Sequence, residues 1–193
     1  PESAPVLHAL CSLQTKRGEF EEALKASELL ISVAPSAETY HQAALTLGLG
    51  ARVSPNQTTS ARMYQRAVEY AKIAISFDQE YRPAWHALTL NLSYLGVHDE
   101  AVDAAKRLVL LRRSPRNLVT LSRTHGIAGE YACAVEAALE AVDLAPKNLD
   151  AKLIFLQNHL MLGDASYSVA EKILTAASEV ASSSAEWVQL SIF

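Results

Sequence analysis

Gly129-Glu130-Tyr131-Ala132-Cys133-Ala134 reads as a tight turn followed by the opening of a helix. The same frame stands at Gly18-Glu19-Phe20-Glu21-Glu22-Ala23 and at Gly96-Val97-His98-Asp99-Glu100-Ala101. Glycine suits the turn because helices commonly end on a residue in the left-handed region, which costs glycine little. The alanine five residues on belongs to a longer column, Ala23, Ala67, Ala101, Ala134 and Ala170, with intervals of 44, 34, 33 and 36 residues, and Gly163 follows Gly129 by 34. A period near 34 therefore organises the chain.

Within a period, apolar residues return every three or four positions, as in Leu118, Leu121, Val135, Ala138, Ala141 and Val142. That spacing is helical, so each unit reads as two helices. Pro35 and Pro146 fall where the second helix must stop, because proline cannot continue the hydrogen-bond ladder and disfavours helix in the residue before it. Five pairs are expected to begin near Ala4, Glu38, Arg82, Pro115 and Leu149, with a sixth opening near Ser184. The 44-residue interval contains residues 51–60, which are polar and interrupted by Pro55. This predicts an inserted loop, with the second helix of that unit starting near Ala61.

Trp85, Leu88, Gly96 and Ala101, with Trp187 and Leu190, fall in columns that resemble the tetratricopeptide repeat. The resemblance implies an all-α fold, a right-handed α-solenoid or superhelix of antiparallel helix pairs. Residues 1–193 would form one array of about five pairs plus the start of a sixth. The sequence departs from the family where an aromatic is expected in the second helix: Ser27, Ala71, Ala105, Ala138 and Leu174 stand there instead, which predicts closer helix packing. The final stretch, Trp187-Val188-Gln189-Leu190-Ser191-Ile192-Phe193, opens a first helix with apolar residues and no partner helix. A longer array or a second subunit is expected to cover it.

Half of the 193 residues are apolar, 20% are charged and the net charge is -4, a globular rather than disordered or collagenous composition. The two cysteines, Cys11 and Cys133, lie far apart and suggest no disulfide framework. No apolar run approaches the roughly 20 residues that span a bilayer, and the first residues do not resemble a secretory leader. A cytoplasmic protein is expected, with peripheral membrane association through a complex or through a basic segment as the further expectation. Gly48 and Gly50 lack the lysine that a phosphate-cradling loop needs. His8 and Cys11, three residues apart, could share a metal, but they are too few for a zinc site, and a packed cysteine is the expected role. Glu19, Glu21 and Glu22 crowd a helix start, where the macrodipole favours anions. No cofactor, metal site or catalytic constellation is expected, and the chain reads as no enzyme.

Charge is unevenly spread. Residues 104–129 carry Lys106, Arg107, Arg112, Arg113, Arg116 and Arg123 with no acidic residue, leaving the remainder of the chain at a net -10. Lys106, Arg107, Arg112, Arg113 and Arg116 form a candidate basic patch around a turn between units, suited to an acidic protein surface or anionic lipid head groups. Nucleic acid is not expected, because the chain is acidic and the basic segment has no interleaved aromatics.

The family resemblance implies that first helices line a partner-binding concave surface. By register its exposed positions would be His86, Leu90, Tyr94, Val119, Arg123, Leu153, Gln157, Leu160 and Met161. Family members that grip the acidic tail of heat-shock chaperones use lysine, asparagine and arginine, whose paired donors suit a carboxylate. Here the matching positions are His8, Ser12, Ala43, Pro83 and Ala87, so no such clamp is expected. The function implied is a non-enzymatic protein-protein interaction scaffold in a cytoplasmic multiprotein complex, taking a helix or extended peptide in the groove. The alternative is a substrate- or partner-recruiting segment of a larger enzyme. Leu47-Gly48-Leu49-Gly50-Ala51, Trp85-His86-Ala87-Leu88 and Tyr167-Ser168-Val169-Ala170-Glu171-Lys172-Ile173-Leu174 are also similar to the scaffold subunits of plasma-membrane phosphatidylinositol 4-kinase complexes. That likeness implies a link between a lipid kinase and its membrane anchor.

Overall fold

Short polar side chains cap the helices that start at Ala37, Gln57, Pro115 and Leu149. Ser36 Oγ accepts from the Thr39 amide at 3.2 Å in a capping box, Asn56 Oδ1 from Thr59 at 3.0 Å, and Asn148 Oδ1 from Ala151 at 3.1 Å. Each bond satisfies one of the amides that a first turn leaves without an intrahelical partner. The computed structural model of the chain describes residues 3–163, 171–173 and 175. The sixth opening at Ser184, with Trp187, Leu190 and Phe193, lies outside the described residues, as do Ala170 and Leu174.

Among the described residues the elements are α1 (Ala4–Arg17), α2 (Phe20–Val33), α3 (Ala37–Val53), α4 (Gln57–Phe77), α5 (Arg82–Leu95), α6 (His98–Leu111), α7 (Pro115–Ile127), α8 (Tyr131–Leu144) and α9 (Leu149–Leu162). The glycine column performs the expected turn. Gly18 and Gly129 sit at φ 78° and 80°, and the amide after each returns to the preceding helix, Glu19 to the Gln14 carbonyl at 3.0 Å and Glu130 to that of His125 at 2.9 Å. Helices α2 and α8 stop before Pro35 and Pro146.

The chain divides into two compact units, Pro1–Ala104 and Ala105–Phe193. In the first, Ala44, Val68, Ala71, Ala87, Leu88, Leu92, Ala101 and Ala104 form one buried cluster, and Cys11, Ala23 and Ala26 another. In the second, Leu118, Val119, Ala138, Ala141, Ala151, Ile154, Phe155 and Leu156 pack together. The alanine column lies inside: Ala23, Ala67, Ala101 and Ala134 are fully buried. So are Ser27, Ala71, Ala105 and Ala138, which stand where the repeat has an aromatic.

The inserted loop expected near 51–60 is corrected by the structure. Helix α3 continues to Val53 and α4 begins at Gln57, not near Ala61, so the extra residues lengthen both helices around a connection of residues 54–56. Pro55 lies in that connection, Asn56 caps α4, and Ser60 Oγ donates to the Ala51 carbonyl at 2.8 Å. Ala51 and Gly50 are buried in the last turn of α3, so continuing the helix gains packing that a polar loop would forgo.

One contact recurs between successive first helices. Counted from each helix start, the twelfth residue of one first helix meets the tenth of the next: Thr15 with Thr46, Gly48 with Asn91, and Gly126 with Asn158. The first pair shares a hydroxyl hydrogen bond of 3.0 Å. In the other two, the asparagine amide occupies the space that a Cβ on the glycine would need.

Candidate partner-binding surface

In the first unit the Gly48–Asn91 contact draws α3 and α5 together beneath a cleft. Leu45 and Leu49 of α3 and Leu90 of α5 line its middle, His41 and His86 one end, and Arg52 and Tyr94 the other. From residue 41 to residue 52 is about 16 Å at 1.5 Å per helical residue, room for about five residues of extended chain. Tyr94 is held from below by Tyr64, stacked at 5.5 Å between ring centroids, and Arg52 lies 6.0 Å over its ring. Among the described lining residues there is no carboxylate, so the Arg52 end presents positive charge beside an aromatic face.

At the histidine end, His41 is held neutral. Burial, then the neighbouring His86, lower the His41 pKa from 6.5 to about 4, against a smaller opposing effect of Glu38. Its ring also meets Tyr81 edge-on at 5.7 Å. Because protonation is disfavoured in the fold, the unfolded chain binds the extra proton. The stabilising contribution is complete above about pH 6.5 and is lost as pH falls towards 4. Full conversion of such a shift would exceed 3 kcal/mol; with the ring partly solvated, about 2 kcal/mol is expected. Urea melts between pH 7 and 4 should show that loss in the parent, and a His41→Gln variant should lack it.

The structure places His86, Leu90 and Tyr94 together along this cleft, the first two half-buried and Tyr94 exposed. The α3 side, His41, Leu45, Leu49 and Arg52, escaped the sequence reading. It falls in the lengthened unit, where a register taken from Glu38 is one residue late against the helix start at Ala37.

In the second unit Leu153 is half-buried, while Gln157, Leu160 and Met161 are exposed on α9. Val119 corrects the expected exposed position: it is 4% exposed and belongs to the core with Leu118 and Phe155. Arg123 is exposed but pairs with Asp150 at 3.4 Å.

The basic segment is likewise less one-sided in space than in sequence. Lys106 and Arg107 lie on α6, Arg112 and Arg113 in the following turn, and Arg116 in the first turn of α7, all exposed. Glu140 of α8 reaches Arg113 Nε at 2.6 Å. Among the described residues Arg112 and Arg116 form no ion pair, so the patch is narrower than six unopposed cations. Cys11 is buried and hydrogen-bonded to Ser27 at 2.8 Å, and His8 pairs with Glu38 at 3.3 Å, so this histidine and cysteine are engaged elsewhere. No helix among the described residues is long and apolar enough to cross a membrane.

No family model matches the sequence, and no curated protein does. Solved structures do match the fold. TTC0263, a thermophilic tetratricopeptide-repeat protein of Thermus thermophilus, superposes with a TM-score of 0.74 at 22% identity over 83% of each chain. MamA from Desulfovibrio magneticus RS-1 gives 0.72 at 18% identity over 93% of this chain and 96% of its own. YrrB, described as a tetratricopeptide-repeat protein with an unusual peptide-binding site, gives 0.66 at 15% identity over 99% and 93%. At such identities the likeness speaks for architecture alone: the fold is the helix-pair α-solenoid of tetratricopeptide-repeat proteins.

Proposed function

We propose that this chain is a non-enzymatic protein-interaction scaffold that takes a short segment of a partner in the cleft between α3 and α5. The observation that carries the reading is the cleft's composition, an apolar middle of Leu45, Leu49 and Leu90 with a cation and an aromatic face at one end. Apolar side chains of a partner would be desolvated in the middle, and a carboxylate near one terminus of the segment would meet Arg52. That YrrB has a peptide-binding site supports the same use of the fold here.

A peptide library displayed on phage and selected against the chain tests this. Enriched peptides should carry apolar residues next to an acidic one, and Leu90→Asp should weaken them at least about tenfold with unchanged helicity. Equal binding by the variant would place recognition elsewhere. A narrower role, joining a lipid kinase to its membrane anchor in the cytoplasm, draws its support from the strings at residues 47–51, 85–88 and 167–174. Recovery of a phosphatidylinositol kinase with the full-length protein would favour it.

A further inference from the structure

We propose that His125, Glu130 and Cys133 form a binding site for a zinc-class divalent cation at the corner between α7 and α8. His125 lies in the last turn of α7, Glu130 directly before α8, and Cys133 in its first turn. The left-handed Gly129 and the Glu130-to-His125 backbone bond of 2.9 Å fold the corner so that the three side chains converge. Their donor atoms all lie within 4.8 Å of one another. Imidazole nitrogen, carboxylate oxygen and thiolate sulfur together suit zinc and its borderline-soft neighbours better than magnesium or calcium.

The geometry is close to what a cation requires. With bonds of about 2.0–2.3 Å in a tetrahedron, donor atoms stand about 3.3–3.6 Å apart. His125 Nδ1 and Glu130 Oε2 are now 2.5 Å apart, so a cation replacing the proton between them must part them by roughly 1 Å. Burial fixes His125, whereas Glu130 and Cys133 are exposed and can adjust by side-chain rotation. The thiol gives up its proton on ligation, and the fourth position opens to solvent.

The repeat architecture does not itself demand these residues. At the equivalent corners, the eleventh, sixteenth and nineteenth positions counted from the first helix are Gln14, Glu19 and Glu22, or Leu92, Val97 and Glu100. The donor set is therefore particular to the α7–α8 corner among these three, and it is independent of the α3–α5 cleft.

The test titrates the reduced, metal-free 193-residue chain with Co²⁺ and then Zn²⁺. One cobalt should bind with a thiolate-to-metal charge-transfer band, and zinc should displace it. Cys133→Ser should abolish the band, and Glu130→Gln and His125→Gln should each weaken binding by at least about tenfold. Glu130 is exposed, so its variant decides the matter even if changing the buried His125 disturbs the fold. Absence of the band at equimolar cobalt overturns the proposal. So does its survival in Cys133→Ser, or undiminished affinity in Glu130→Gln.

Discussion

Phe155→Ala is expected to cost about 3–5 kcal/mol of stability, the range for truncating a buried aromatic side chain. The ring is 1% exposed and packs in the cluster of Leu118, Val119, Ala138, Ala141, Ala151, Ile154 and Leu156. One face stacks on His159, with centroids 5.5 Å apart and planes 11° from parallel. Truncation therefore removes apolar burial and leaves a cavity whose walls belong to three helices, α7, α8 and α9, and cannot all collapse inward. Leu160, five residues on and 54% exposed, is the internal control: Leu160→Ala should stay within about 0.5 kcal/mol of the parent. Urea melts followed by circular dichroism compare the two. Similar, small effects at both positions would mean that the second unit's core does not form around Phe155.

Features fixed within a few residues were legible in the sequence. The left-handed turns at Gly18, Gly96 and Gly129 declare themselves because the conformation itself selects glycine, and Pro35 and Pro146 because they lack an amide to continue a helix. The extra length of the second unit was visible, but not its form. Polar residues at 57–60 resemble a loop until Asn56 is seen capping them as the first turn of α4. Here a single side-chain hydrogen bond outweighs composition.

Features that depend on neighbouring repeats were hidden. Glu140 lies 27 residues after Arg113, and Asp150 lies 27 after Arg123, so the acids that oppose the basic segment come from later helices. A charge tally along the chain cannot register them. Val119 shows the same limit. Its place in the repeat pattern suggested the exposed surface, whereas contact with the α9 residues Ile154, Phe155 and Leu156 buries it. The His125, Glu130 and Cys133 grouping is invisible to spacing along one helix, because these donors converge across a turn.

Gly48→Ala decides between two physical effects of opposite sign. Alanine in place of a mid-helix glycine stabilises an exposed helix by about 0.5–1 kcal/mol through reduced freedom of the unfolded chain. At Gly48, however, a Cβ would run into the Asn91 carboxamide, which is buried and donates from Nδ2 to the Ala87 carbonyl at 2.8 Å. Moving that side chain breaks the hydrogen bond or parts α3 from α5, and overpacking of this kind costs about 1–3 kcal/mol. The net expectation for Gly48→Ala is a loss of about 1–2 kcal/mol, and for the bulkier Gly48→Leu about 3 kcal/mol or more. Asn91→Ala alone should also destabilise, by about 1 kcal/mol, through its lost hydrogen bond. In the double variant Gly48→Ala/Asn91→Ala the new methyl enters space the amide has left, so the combined loss should fall short of the sum by about 1 kcal/mol or more. The equivalent cycle at Gly126 and Asn158 should repeat the sign, with the lost bond there running from Asn158 Nδ2 to Ser122 Oγ at 3.0 Å. Strict additivity in both cycles would show that these glycines are tolerated rather than required, and that successive first helices are spaced by other contacts.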